Sequence, residues 1–199
     1  MELIIVRHGE TKENTKDIIQ GPYIGELNSN GKNQVKKLAL RLKKSKIDII
    51  FSSDSNRAVD TTKIIAKFHN VPVYYTKKLR NRDSGIFNGK EIKYRIAAYK
   101  SSGLSAMEFR PKRGESYLDV IQRTRKFTRS LYKKYKAKSI LVSTHGGPIR
   151  AMAHIYLGYS IEESYRLDCK NAGMLILKIQ SNSVKTIMSK MFKSKLLKL

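Results

Sequence analysis

Two histidines and several arginines in this chain stand where they could handle a phosphate. Arg7 and His8 lie in RHGET, Arg57 in SSDSNR, Arg80 and Arg82 in LRNRDSG, and His145 in STHGG. Arginine presents a planar fork of N–H donors that fits phosphate two bonds at a time. Histidine can attack phosphorus or carry protons. Cationic neighbours depress its pKa, which keeps a ring lone pair free at neutral pH. Arg57 should fall in the first turn of a helix, and His145-Gly-Gly-Pro leads into another helix start. Both places add unpaired backbone N–H groups and the positive end of a dipole, which favour an anion. The chemistry indicated is nucleophilic or acid–base work on a phosphate. Few carboxylates converge with these residues, so no metal is called for. His69 and His154 sit within helical patterns and read as structural.

Each cluster directly follows a stretch that reads as a strand. Leu3 to Val6, Asp48 to Phe51, Val73 to Tyr75 and Ser139 to Val142 are short apolar runs of that type. Val35, Leu38 and Leu42 have helical spacing with lysines on the other face. A helix from about Asn56 to Phe68 takes Asp54 or Ser55 as its N-cap. A weaker helix covers Glu91 to Tyr99, residues 103–114 form a loop, and a long helix carries Tyr117, Ile121, Thr124, Phe127, Leu131 and Tyr135 on one side. Gly146, Gly147 and Pro148 open another helix, and Met174 to Ile179 and Val184 to Met188 read as late strands. This alternation predicts an α/β domain with a mainly parallel sheet and helices on both faces. In such sheets ligands bind outside the carboxyl ends of the strands. If the first four strands are parallel, all the polar clusters share one rim.

The chain has 199 residues and 40% hydrophobic content, enough for one domain over 1–199 with a sizeable core. Its last residues, 190–199, read as a basic surface tail, KMFKSKLLKL. Forty-one Lys and Arg against sixteen Asp and Glu give a net charge of +25. That charge attracts anions and allows nonspecific contact with nucleic acid, but no zinc-finger spacing or RNA-binding aromatic motif accompanies it. Most of the excess is lysine spread over helix surfaces, which reads as a solvated exterior. No apolar run is long enough to span a bilayer, and the N-terminal apolar run is too short for a secretory signal, so a cytoplasmic location is expected. The single cysteine, Cys169, reads as inert packing.

Taken in order, VRHGET, SSDSNRA, RGES and STHGGPIR resemble the histidine phosphatase superfamily, also called the phosphoglycerate mutase-like family. The resemblance runs from residue 3 to about 179. It implies a three-layer α/β/α sandwich and a phosphohistidine intermediate formed without a metal. It makes His8 the nucleophile and places Arg7, Arg57 and His145 in the phosphate pocket. Asn14 matches an asparagine of that pocket. Thr11, Gln20, Gly21 and Gly146 fall where members line the substrate.

One block departs from the family pattern. The glutamate that gives a proton to the leaving oxygen in relatives falls on Asn81, and an amide has no acidic proton to give. Three readings follow. Asp83 could take over, since alternate residues of an extended segment face the same side. Glu115 or Glu10 could reach in. Or the protein is slow and expels only good leaving groups. The short segment before RGES resembles the broad phosphatases and ribazole-phosphate phosphatases, so hydrolysis of a small phosphorylated metabolite is the first reading. Arg82 matches an arginine that mutases place beside their acid, which makes a cofactor-dependent phosphoglycerate mutase the runner-up. The expected cofactor is none, with 2,3-bisphosphoglycerate entering only for a mutase. A weakly active or inactive binder of phospholigands or nucleic acid is a further alternative, and a homodimer fits any of these readings.

Overall fold

The computed structural model describes residues 1–180 and 184–189. Six strands form one sheet: β1 (Glu2–Arg7), β2 (Ile49–Ser53), β3 (Val73–Thr76), β4 (Ser139–Thr144), β5 (Met174–Ile179) and β6 (Val184–Ser189). Their order is β3-β2-β4-β1-β5-β6. The pairs β1–β4, β2–β4 and β2–β3 are parallel, while β5 and β6 add on antiparallel. The helices are α1 (Ser29–Leu42), α2 (Asn56–Ala66), α3 (Ile92–Ser101), α4 (Tyr117–Lys134), α5 (Gly146–Leu157) and α6 (Ile161–Arg166).

Why β1 is an unbroken apolar run is clear from its two faces. Side chains alternate along a strand. Leu3 and Ile5 join Phe127, Leu131, Ile149 and Met152 in one core, beneath α4 and α5. Ile4 and Val6 join Val35, Leu38, Leu42 and Ile65 in the other, beneath α1 and α2. Covering each such aliphatic side chain contributes about 1.5–3 kcal/mol. Two helices on each face of the sheet give the three-layer α/β/α arrangement that the resemblance implies.

The parallel strands bring their carboxyl ends to one edge. Arg7 pairs in register with Thr144, and Ser52 with Ser143, so the loops carrying His8, Asp54 and His145 leave the sheet side by side. Helix α4 opens with a capping box in which Ser116 and Asp119 each satisfy the other's backbone N–H.

Some boundaries differ from the sequence expectation. β2 runs two residues further, into the buried Ser52 and Ser53, because side-chain hydrogen bonds satisfy those hydroxyls. Helix α2 ends at Ala66 rather than Phe68. Its N-cap is Ser55, whereas Asp54 forms an ion pair with Arg80 at 2.6 Å. Helix α6 is an addition, although its Ser160–Glu163 capping box is visible in the sequence. The basic tail over 190–199 lies outside the described residues.

Candidate active site

His8 is 2% exposed and follows β1 directly. Its Nδ1 lies 2.7 Å from the Gly9 carbonyl oxygen, a bond that needs a proton on Nδ1. Nε2 is then a lone-pair acceptor, and Arg57 Nε donates to it at 3.3 Å. Gly9 is a glycine for reasons of space. A Cβ there would lie 2.5 Å from the Gly31 carbonyl oxygen and 2.8 Å from a Val35 methyl.

His145 follows β4 as the N-cap position of α5 and is fully buried. Its ring centroid is 5.1 Å from that of His8. Ser53 Oγ lies 2.8 Å from its Nε2, and the Ser53 hydroxyl donates in turn to Ser55 Oγ at 3.2 Å. This relay makes Nε2 the protonated nitrogen and leaves Nδ1 buried without a partner among the described residues. Burial is the largest cause holding both imidazoles well below the ordinary histidine range. The charges of Arg57 and Arg7 push further the same way. Both rings are therefore neutral at pH 7.

Arg57 is 1% exposed and sits in the first turn of α2. Besides His8, it donates to the Ile24 carbonyl at 2.5 Å and to the Gly21 carbonyl at 2.8 Å. Burial, and secondarily Arg7, lowers its pKa to about 9, which leaves it cationic at neutral pH. Gly21 holds its carbonyl there with φ +54°, and a Cβ on it would lie 2.4 Å from Asn88 Oδ1. Arg7 donates one Nη to the Cys169 carbonyl, while its Nε is buried with no partner among the described residues.

A cavity of about 230 Å³ opens onto His8. Arg7, Asn14, Gln20, Arg57, Asn81, Arg82 and Gly146 line it, as the sequence pattern suggests. Thr11, Gly21 and the fully buried His145 do not. Thr11 instead trades hydrogen bonds with Asn14 at 3.2 Å, and Gly21 acts through Arg57. Sequence reasoning did not single out Glu13, Arg95, Arg150 or Tyr165, which also line the cavity. Arg95 comes from α3, a helix with no buried residue and hence no apolar stripe to announce it. Arg95 donates to Ser84 Oγ at 2.9 Å, and Arg150 Nε to the Leu167 carbonyl at 2.6 Å. Cationic side chains dominate the walls. Among the described residues no cluster of His, Cys, Asp and Glu could hold a metal ion.

The stretch around Asn81 is pinned from outside. Arg123 donates to the Asn81 carbonyl at 3.0 Å and to Glu115 Oε1 at 2.8 Å. Asn81 Oδ1 accepts from the Gly147 N–H at 3.2 Å, in the first turn of α5. Asp83 does not line the cavity. Its Oδ1 accepts from the Gly85 N–H at 2.8 Å and from Asn88 Nδ2 at 2.7 Å, because the chain turns at Gly85 instead of running on extended. Glu115 is held by Arg123, and Glu10 by Asn28 and Asn30, so neither lines the cavity. Arg82 spends its donors on the backbone carbonyls of Glu115, Ala106 and Phe109, at 2.8, 3.3 and 2.6 Å. It therefore acts as a clamp on the 106–115 loop.

Comparison with known proteins bears on the family and the fold. The sequence model described as histidine phosphatase superfamily (branch 1) matches residues 3–189. Phosphoglycerate mutase-like protein 4 of Arabidopsis thaliana is 38% identical over 159 residues, covering 76% of this chain and 69% of that protein. A metal-independent phosphoserine phosphatase of the same plant is 35% identical over 161 residues, covering 76% of this chain and 66% of its own. The solved structure of phosphoserine phosphatase from Entamoeba histolytica, in complex with 3-phosphoglyceric acid, superposes with a TM-score of 0.82 at 25% identity, covering 98% of this chain and 97% of that one.

Proposed function

The chain belongs to the histidine phosphatase superfamily, and from that premise we propose that it hydrolyses small phosphomonoesters through a phosphohistidine on His8. The carrying observation is the state of His8. Its Nδ1–H is fixed on the Gly9 carbonyl, so the Nε2 lone pair is available beside Arg57. Nε2 attacks phosphorus, the P–O ester bond breaks, and the electron pair leaves with the alcohol oxygen. Arg7 and Arg57 neutralise charge on the transferring group. Its arrival also favours protonation of His145, whose free Nδ1 can then donate. The alcohol oxygen takes a proton from solvent; water next attacks phosphorus and returns a proton to solvent, the P–N bond breaks, and orthophosphate leaves with His8 restored. The reading needs no metal, in keeping with a relative named metal-independent.

Two features narrow the substrate. The cavity volume, about 230 Å³, suits a small molecule. Arg95 and Arg150, on the wall formed by α3 and α5, favour a second anionic group beyond the phosphate. With an amide at Asn81 and Asp83 engaged in its turn, proton delivery at the usual donor position is missing. Of the three readings, slow turnover of esters with poor leaving groups has the most support. The mutase reading keeps the support of a relative named phosphoglycerate mutase-like. Arg82 gives three N–H donors to backbone carbonyls and still lines the cavity, so it weighs neither way.

The test is hydrolysis of p-nitrophenyl phosphate by the wild type and His8→Ala, with intact mass recorded after an alkaline quench, which preserves the P–N bond. Activity that survives His8→Ala rules out the phosphohistidine. A coupled assay for interconversion of 3- and 2-phosphoglycerate, with 2,3-bisphosphoglycerate supplied, decides against or for the mutase.

A further inference from the structure

A second, smaller space adjoins the cavity at His8. Its volume is about 120 Å³, and residues of α3, α5 and α6 enclose it. Helix α3 contributes Ile92, Arg95, Ile96 and Tyr99, which stand three and four residues apart and so share one side of the helix. Arg150 comes from α5, and Tyr165 and Arg166 from α6. Ile92, Arg95, Arg150 and Tyr165 also line the cavity that contains His8, so the two spaces share a wall. No residue of α3 is buried. The side that a surface helix ordinarily packs against a core borders this space instead.

We propose that this space is a subsite for an aromatic ring of the substrate. The inference rests on the phosphatase reading and names its substrate class: phosphomonoesters of alcohols that carry one aromatic ring on a short arm. Size sets the single ring. A dry cavity of about 150 Å³ holds one benzene molecule, so a space of about 120 Å³ has no room for a fused pair. Chemistry favours a ring over a chain. Two isoleucines and two tyrosines supply apolar and aromatic surface. Three guanidinium groups add cations that are attracted to a ring face and gain nothing comparable from an alkyl group. Arg95 and Arg150 stand in the shared wall. A guanidinium meets an anion with its N–H edge and a ring with its face, so these two serve both spaces.

Phosphonates bind without being hydrolysed, so affinity is read apart from turnover. The experiment measures Kd by calorimetry for phenylethyl-, phenylpropyl- and phenylbutylphosphonate. Each is compared with the same alkylphosphonate lacking the ring and with its cyclohexyl analogue. The proteins are the wild type, Ile96→Phe and Arg166→Ala, since Ile96 and Arg166 line the smaller space and not the cavity at His8. The best phenyl ligand should bind the wild type roughly 10- to 100-fold tighter than its ring-free partner, the worth of burying an aromatic side chain. The cyclohexyl analogue should fall short of it by about 3-fold. Ile96→Phe fills the space and should bring the phenyl-to-alkyl ratio within about 3-fold. Arg166→Ala should narrow the preference for phenyl over cyclohexyl. A phenyl-to-alkyl ratio near one at every arm length, or a ratio unchanged in Ile96→Phe, overturns the subsite. Cyclohexyl binding as tightly as phenyl in the wild type overturns the aromatic class. Either result beside His8-dependent hydrolysis of p-nitrophenyl phosphate leaves the phosphatase reading standing. Ring-dependent affinity without any His8-dependent hydrolysis makes the ring compound a ligand and not a substrate, and overturns the substrate class together with that reading.

Discussion

His8 and His145 lie with ring centroids 5.1 Å apart and ring planes inclined at 59°. The closeness follows from the sheet: Arg7 and Thr144 are register partners on adjacent parallel strands, and each histidine is the next residue. Two cationic imidazoles at that distance beside Arg57 would repel one another, and both are held neutral.

That arrangement sets how stability depends on pH. Both histidines have folded-state pKa values below the unfolded value near 6.5. The unfolded chain therefore binds more protons as pH falls below about 6.5. Stability should be level above that pH and drop below it, by up to roughly 1.4 kcal/mol per pH unit for each histidine. Urea denaturation from pH 7.5 to 5 measures the slope. His145→Asn should reduce it, and a slope unchanged in that variant would show that His145 is not the group responsible.

Arg57→Lys tests whether shape or charge matters at the nucleophile. Arg57 reaches His8 Nε2, the Ile24 carbonyl and the Gly21 carbonyl at once. A single ammonium keeps the charge but cannot span all of these. The expected loss in kcat/KM for p-nitrophenyl phosphate is about 10²–10³-fold. A loss under about tenfold would mean that positive charge alone suffices.

The position of Asn81 makes a gain of function testable. Its Oδ1 accepts from the Gly147 N–H, and its side chain lines the cavity. Asn81→Glu places a carboxyl there. Alkyl phosphates should then be hydrolysed up to about 10²-fold faster, with little change for p-nitrophenyl phosphate, whose leaving group needs no proton. Asp83→Asn should leave the alkyl-to-aryl ratio unchanged, because Asp83 serves the turn at Gly85 and not the cavity. A selective loss on alkyl esters in Asp83→Asn would return the donor role to Asp83.

The sequence made the strands and their rim legible because apolar runs end in polar clusters, and parallel pairing gathers those ends. Asp83 was misplaced for a local reason. The two-residue spacing of Asn81 and Asp83 suggests a shared side, but the Asp83 carboxylate is taken up by the Gly85 N–H and Asn88 Nδ2 of the turn that follows it. Arg95 left no periodic signal, since α3 buries no residue. Glu13 could not be singled out because Gln20, Gly25 and Arg57 are gathered around it only by folding.

Gly9 links the nucleophile to the packing of α1. The Gly9 carbonyl fixes the His8 tautomer, and its Cα faces Gly31 and Val35 too closely for any side chain. In Gly9→Ala the new methyl would meet the Gly31 carbonyl at 2.5 Å, and backbone cannot yield as a side-chain tip does. Overpacking of this kind costs about 1–3 kcal/mol. The displacement also moves the Gly9 carbonyl away from His8 Nδ1, so activity should fall beyond what stability explains. Thermal denaturation and phosphatase assays well below the melting temperature separate the two. A variant destabilised but fully active at low temperature would show that the Gly9–His8 hydrogen bond does not govern the nucleophile.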